Sequence, residues 1–168
     1  MLSSRIALLL LCLALAACGY KPLYGEHGAA NTAVTADLAE IRIEAIPDRI
    51  GQKMYNLLHE RLTPEGKAAQ PKYSLRVRLR ETVDELLYER DETATRANLT
   101  LRADYELRRV ADDEVIAKGT SRATSGYDIL SSQYATLTSK DDARDRSARV
   151  ISDDIRTRMA VALSDESN

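Results

Sequence analysis

Apolar and polar residues alternate along three long stretches in the middle of the chain, at residues 73–80, 96–108 and 115–123. A period of two places every other side chain on one face, as in strands of an antiparallel sheet that is covered on one side. A shorter alternation at residues 41–44 predicts another strand. The small inward residues of the third long stretch would let a helix approach closely.

The connection between the first two long strands decides whether their apolar faces coincide. A turn of two or four residues around Glu89–Glu92 would pair odd with even positions and bury arginines. A β-bulge near Asp84 and Glu85 would restore a common face, because one extra residue shifts the register. A connection with an odd number of residues would have the same effect, and the sequence leaves both solutions open.

Two further segments repeat apolar residues at helical spacing. The first follows Pro47, with Asp48 at the N-cap position, and ends at residues 63–66. The second starts after a possible capping box of Ser139 and Asp142 and precedes a polar tail at residues 164–168. The apolar stripes are Ile50, Met54, Leu57, Leu58 and Leu62 in the first helix, and Ser147, Val150, Ile151, Ile155, Met159 and Ala162 in the second.

The order strand-helix-strand-strand-strand-helix predicts an α+β fold over residues 38–163. We expect a two-layer sandwich in which a four-stranded, mostly antiparallel sheet carries both helices on its apolar face.

The N-terminal segment is typical of a secretory signal. Arg5 precedes an apolar run at residues 6–15, which is shorter than the roughly 20 residues that span a bilayer. The tetrapeptide Leu15-Ala16-Ala17-Cys18 resembles the lipobox of bacterial lipoproteins, in which the cysteine is acylated and becomes the first residue. We therefore predict a signal peptide at residues 1–17, lipidation of Cys18 and a tether at residues 18–37. An ordinary signal peptide with a chance cysteine is the alternative.

Composition argues against several classes of protein. The formal charge is −2, and Phe and Trp are absent, so a stacking surface for nucleic acid is not expected. The sequence contains no phosphate-binding glycine loop and no metal-ligating motif. We interpret His27 as part of the tether and His59 as a helix-surface residue. The protein is expected to be no enzyme and to use no cofactor or metal.

The polar face of the three long strands is rich in basic residues. Its even positions carry nine basic and four acidic residues, an excess of five positive charges. Arginine suits bidentate contact with phosphate, so this face is a candidate site for an anionic ligand. A solvated face with cross-strand ion pairs is an equal alternative. The basic residues are Lys72, Arg76, Arg78, Arg80, Arg96, Arg102, Arg108, Lys118 and Arg122, and the acidic residues are Asp84, Asp104, Glu106 and Glu114.

Several short motifs, in their order along the chain, resemble the alphaproteobacterial form of the LPS-assembly lipoprotein LptE family. Each motif is loose alone, and together they span essentially the whole mature chain. They are the run from Cys18 to Gly25, Asp48-Arg49-Ile50-Gly51-Gln52 with Asn56-Leu57-Leu58, Tyr73-Ser74-Leu75-Arg76-Val77, and Tyr134-Ala135 with Asp142-Ala143.

The resemblance implies a plug subunit of the lipopolysaccharide translocon, lodged in the outer-membrane barrel LptD. It implies attachment to the outer membrane through acylated Cys18, and direct binding of lipopolysaccharide by basic residues. The candidates come from the strand-face pattern: Arg76, Arg78, Arg80, Arg96, Arg102, Lys118 and Arg122. A barrel-assembly or envelope-scaffold lipoprotein, acting as a pure protein-interaction module, is the alternative.

Overall fold

The computed structural model describes residues 36–64, 66, 69–86 and 96–166. The predicted signal peptide, Cys18, His27 and most of the predicted tether lie outside these residues.

The described chain forms a four-stranded sheet and two long helices, after a helical turn at residues 36–39. The strand order is β1-β2-β3-β4, with β1 parallel to β2 and the other neighbours antiparallel. This arrangement confirms the predicted α+β class and element order. The elements are β1 (Ile41–Ile43), α1 (Asp48–Leu62), β2 (Tyr73–Leu86), β3 (Arg96–Arg109), β4 (Val115–Asp128) and α2 (Gln133–Glu166).

The β2–β3 register is continuous, from Tyr73 opposite Arg109 to Leu86 opposite Arg96. The expected bulge near Asp84 and Glu85 is therefore wrong. Odd positions pair with odd positions because an odd number of residues, 87–95, separates the two strands, so the alternative solution is the one that occurs. The register irregularity among these strands lies between β3 and β4, at Leu107 and Arg108.

The core lies between the odd-numbered face of the sheet and the two helices. In β3 the inward residues from Ala97 to Leu107 are buried along the whole strand. Val150 belonged to the predicted apolar stripe of α2, yet it is 58% exposed, because Ile151, Ile155 and Met159 at spacings of four form the buried line and Val150 falls beside it. The buried helix residues include Met54, Leu58, Leu62, Ala148, Ile151, Ile155, Met159 and Leu163.

Both helices begin differently from the sequence prediction. Asp48 is the first residue of α1 and has a φ of 70°, while Pro47 occupies the N-cap position and no side chain caps the helix. The predicted capping box at Ser139 is wrong, because α2 already begins at Gln133 and the Ser139 hydroxyl accepts a hydrogen bond from the Asp128 N–H (3.3 Å). At its other end α2 continues to Glu166, which is bound by Arg109.

Two glycines allow close approach between elements. A Cβ on Gly51 of α1 would lie 2.7 Å from the Ile46 carbonyl oxygen, so this helix turn contacts the preceding backbone directly. A Cβ on Gly119 of β4 would lie 2.5 Å from the Tyr105 hydroxyl oxygen. Small inward residues of β4 thus make room for a larger neighbour, which in this case is a tyrosine of β3.

Within the described residues, neither long helix is apolar enough over a sufficient length to cross a membrane.

Candidate anion-binding face

The even-numbered face of the sheet points away from the helices and carries the basic residues singled out in the sequence. Strand pairing places Arg80, Arg102 and Arg122 directly opposite one another on β2, β3 and β4. Neighbouring strands lie about 4.8 Å apart, so three guanidinium groups share a short line across the sheet. We call these three residues the arginine row.

A second line of like residues lies beside the arginine row. Thr82, Thr100 and Thr124 also pair directly across the three strands, and the hydroxyl oxygens of Thr100 and Thr124 are 2.9 Å apart. We call them the threonine row. A hydroxyl can donate or accept a hydrogen bond, so this row adds uncharged polar groups next to three positive charges.

Among the described residues, one carboxylate contacts the arginine row. Asp104 accepts hydrogen bonds from Arg102, at 2.9 and 3.0 Å, and from the Thr120 hydroxyl at 2.7 Å. The Thr120 hydrogen bond, followed by the Arg102 hydrogen bond, lowers the pKa of Asp104, so this carboxylate is ionised at neutral pH. Within the described part of the chain, the three positive charges of the row are therefore matched by one carboxylate, bound to Arg102, and the row retains a positive excess.

At the end of the same face where β2 starts and β3 ends, most of the basic residues form ion pairs. Arg76 binds Glu44 of the segment after β1, with 2.8 Å between nitrogen and oxygen, and Arg108 binds Glu106. The Arg76 hydrogen bond is the main cause that lowers the pKa of Glu44. The remaining pairs at this end are Arg108–Asp113 at 2.7 Å and Lys72–Glu40 at 2.7 Å. Arg96–Asp128, at 3.8 Å, lies at the far end of the face, beyond the threonine row.

Both sequence interpretations of the basic face therefore apply, one in the middle of the face and the other towards its ends. The structure pairs Arg76 and Arg96 with carboxylates. Of the other candidates, Arg102 and three more lie in the middle of the face, whereas a fourth, Lys118, lies in the same cross-strand line as Arg76, with Glu106 between them. Within the described part of the chain, these four other candidates form no ion pair. They are Arg78, Arg80, Lys118 and Arg122.

Sequence reasoning missed three features of this site. It did not single out the threonine row, it did not find the contact between Asp104 and Thr120, and it did not include Glu44 as the partner of Arg76. All three depend on which residues are opposite one another in neighbouring strands. The alternation of the sequence assigned Thr100, Asp104 and Thr120 to the correct face, but Thr82 and Thr124 lie just beyond the predicted stretches, and nothing in the sequence specified the register.

The arrangement suits the surface binding of a ligand with several anionic groups. Guanidinium groups donate paired hydrogen bonds to phosphate or carboxylate, and their charge attracts anions before contact. Arg102 is 51% exposed and lies on a flat sheet face, so the guanidinium groups are accessible to a large amphiphile as well as to a small ion.

Comparison with known proteins gives a distant relative in sequence and clear neighbours in fold. No family model matches the chain. An uncharacterized protein of Rickettsia prowazekii is 26% identical over 129 residues, which cover 77% of this chain and 78% of the relative.

Two solved structures have the same architecture. A candidate lipoprotein of Caulobacter crescentus superimposes with a TM-score of 0.65 at 22% identity, covering 79% of this chain and 97% of that chain. The rare lipoprotein B of Shewanella oneidensis superimposes with a TM-score of 0.62 at 13% identity, covering 76% of this chain and 98% of that chain. The protein shares its fold with both.

Proposed function

We propose that this protein is an outer-membrane lipoprotein that binds lipopolysaccharide on its arginine row and assists lipopolysaccharide assembly together with the barrel LptD. The observation that carries the proposal is the row itself: three arginines paired across three strands, with one carboxylate in contact. The lipobox-like Leu15-Ala16-Ala17-Cys18 and a fold shared with rare lipoprotein B support it.

Phosphate chemistry links the arginine row to this ligand. Lipopolysaccharide molecules associate through divalent cations that bridge their phosphates and through their acyl chains. Fixed guanidinium groups can replace those cations at the phosphates, and the threonine hydroxyls can bind neighbouring phosphate or sugar oxygens. The protein would then supply position and binding free energy, with no covalent step.

Lipid attachment would place the arginine row near its barrel. Two or three acyl chains on Cys18 anchor a protein stably, at about 0.8 kcal/mol per buried CH₂. A tethered domain has a raised effective concentration at any partner within reach of the tether. Metabolic labelling with palmitate should mark the wild-type protein and not Cys18→Ser. Equal labelling of both proteins would remove the anchoring part of the proposal.

The binding experiment compares charge reversals at two places. The full lipidated chain in detergent is titrated with purified lipopolysaccharide, as wild type, as Arg80→Glu with Arg122→Glu, and as Arg149→Glu. Arg149 is exposed on α2 and does not belong to the basic sheet face. Because charge-assisted hydrogen bonds contribute roughly 1.5–3 kcal/mol each, the double reversal should weaken binding at least tenfold, and Arg149→Glu less than twofold. Equal affinities of all three proteins would contradict the arginine row as the site.

Co-purification tests the partner. Tagged protein extracted from outer membranes should bring down LptD and lipopolysaccharide, both identified by mass spectrometry. Recovery of the general barrel-assembly machine in place of LptD would favour the scaffold alternative.

A further inference from the structure

Among the described residues, β1 is an edge strand of the sheet, and its outer side pairs with no other strand. The Glu44 N–H donates to the Leu75 carbonyl (2.9 Å), and the Glu40 carbonyl accepts from the Lys72 N–H (3.1 Å), so the backbone groups of these even residues face β2. Alternate residues of a strand direct their N–H and C=O groups to opposite sides. The N–H and C=O groups of Ile41 and Ile43 therefore point away from β2, and no other strand of the described residues lies on that side.

A recess of about 310 Å³ runs beside this edge. All three residues of β1 line it on one side, and Tyr55 and His59 of α1 line it on the other, with their rings 6.2 Å apart. Pro71 also lines the recess. The recess thus lies on the helix side of the sheet, where alternate side chains of an additional strand would enter.

The charge at the edge disfavours a second copy of this chain as the occupant. Arg42 is exposed at the centre of β1, and its acidic neighbours Glu40 and Glu44 are paired with other basic residues. In the two-fold antiparallel pairing that overlaps all three residues of β1 with those of a second copy, Arg42 of one copy would face Arg42 of the other, and like charges directly opposite are destabilising. An acidic residue at that place would instead form a cross-strand ion pair.

We propose that β1 is a docking site for an extended segment of another protein, which adds antiparallel to β1 as a fifth strand. The segment has an acidic residue opposite Arg42 and apolar residues on either side of it. Those two apolar residues exchange backbone hydrogen bonds with Ile41 and Ile43, and their side chains enter the recess beside Tyr55 and His59. Strand addition of this kind takes affinity from the backbone and specificity from alternate side chains. The inference is independent of the arginine row and of the lipopolysaccharide proposal.

The test uses three synthetic peptides on the full lipidated chain in detergent. The acidic peptide has a Thr-Val-Glu-Val-Thr core, a Gly-Gly-Gly linker and a terminal cysteine. The lysine peptide has Lys in place of Glu, and the N-methylated peptide keeps Glu but has both valines N-methylated. The three peptides, mixed in equal amounts, compete to form a disulfide with the new cysteine of the Gln52→Cys variant. Gln52 is exposed on α1, three positions before Tyr55. Arg149→Cys on α2 is the matched control. Tethering raises the effective peptide concentration, so weak strand addition is detectable.

The acidic peptide should be captured at position 52 at least fivefold over the N-methylated peptide and at least twofold over the lysine peptide. All three should be captured equally at position 149. In the captured acidic adduct, the amide exchange of Ile41 and Ile43 should slow at least tenfold. Equal capture at position 52, or unchanged exchange at both isoleucines, would overturn the proposal. Equal capture of the acidic and lysine peptides would overturn the acidic character of the partner.

Discussion

The two faces of the sheet use charge in opposite ways. On the helix-covered face, Glu81 lies at an inward position of β2 and binds Arg144 of α2 through two hydrogen bonds of 2.7 and 2.8 Å. Lys140 lies 3.6 Å from the same carboxylate. On the open face, the arginine row contacts one carboxylate of the described residues, that of Asp104.

Solvent accounts for the difference. A charge between packed layers loses water and must be matched by a partner, because an unmatched charge there is costly. On the open face water screens the repulsion, so three arginines can be opposite one another at a modest cost. The matched charges stabilise the fold, and the unmatched charges remain available to an external anion. Four pairs of variants test the packing and the charges of the two faces.

Removing a large core side chain should have the largest effect. Leu101 and Thr100 are neighbours in β3 and point to opposite faces, and Leu101 is fully buried. Leu101→Ala should lower the free energy of unfolding by about 2–5 kcal/mol, from lost burial and the cavity left behind. Thr100→Ala should cost under about 1 kcal/mol. Urea titration measures both variants, and similar losses would contradict the assignment of the two faces.

Gly51→Ala tests how tightly α1 contacts the chain before it. Alanine favours a helix by up to about 1 kcal/mol over glycine. Its methyl group, however, would lie 2.7 Å from the Ile46 carbonyl oxygen, a backbone atom. We expect the crowding to prevail, with a net loss of about 1–3 kcal/mol in urea unfolding. Gln52→Ala, one residue further and exposed, is the control and should be neutral or stabilising. A stabilising Gly51→Ala would show that this contact is loose.

Glu81→Gln tests the matched pair through pH. The hydrogen bond from Arg144 is the main cause that lowers the pKa of Glu81 from its ordinary value of 4.5. A lowered carboxylate pKa contributes stability that is present above pH 4.5 and is lost as pH falls through the folded-state pKa. The variant should therefore lose about 1–2 kcal/mol at pH 7, and less as the pH falls below 4.5.

Unfolding midpoints of wild type and Glu81→Gln at pH 7, 5 and 3 give this difference directly. Glu85→Gln, at an exposed residue of the same strand, is the matched control and should show no comparable trend. A Glu81→Gln deficit that stayed constant from pH 7 to 3 would show that the pair does not contribute through its charge.

Two substitutions within the basic face should have the smallest effects, and opposite signs. Arg122→Thr removes one of three like charges and should stabilise the protein by about 0.2–1 kcal/mol. Arg76→Thr breaks the pair with Glu44 and should destabilise it by up to about 1 kcal/mol. Both changes replace an arginine of a strand with threonine. The difference between the two changes in stability therefore reports the charge environment of each arginine. Thermal unfolding at low salt measures it, and equal shifts would mean that the arginine row and the paired residues do not differ in charge environment.

The sequence by itself determined the class of fold and the face on which each strand residue lies. The alternation in β3 and the helical repeat of Met54, Leu58 and Leu62 are local patterns, and burial follows them. Local signals were weaker at element ends: Ser139 has the chemistry of a cap, but it lies inside α2 because residues 133–138 continue the helix before it.

Tertiary structure decided which residues became neighbours. Whether Arg80 is opposite an arginine or a threonine depends on the β2–β3 register, and that register is set by burial along the whole strand and by residues 87–95 between the two strands. Glu81 and Arg144 are 63 positions apart, and the packing of α2 on the sheet brings them together. A sequence pattern repeats over a few residues and assigns a side chain to a face. Its partners on that face come from strands and helices that are distant in the chain, so only the folded arrangement determines which charges are matched.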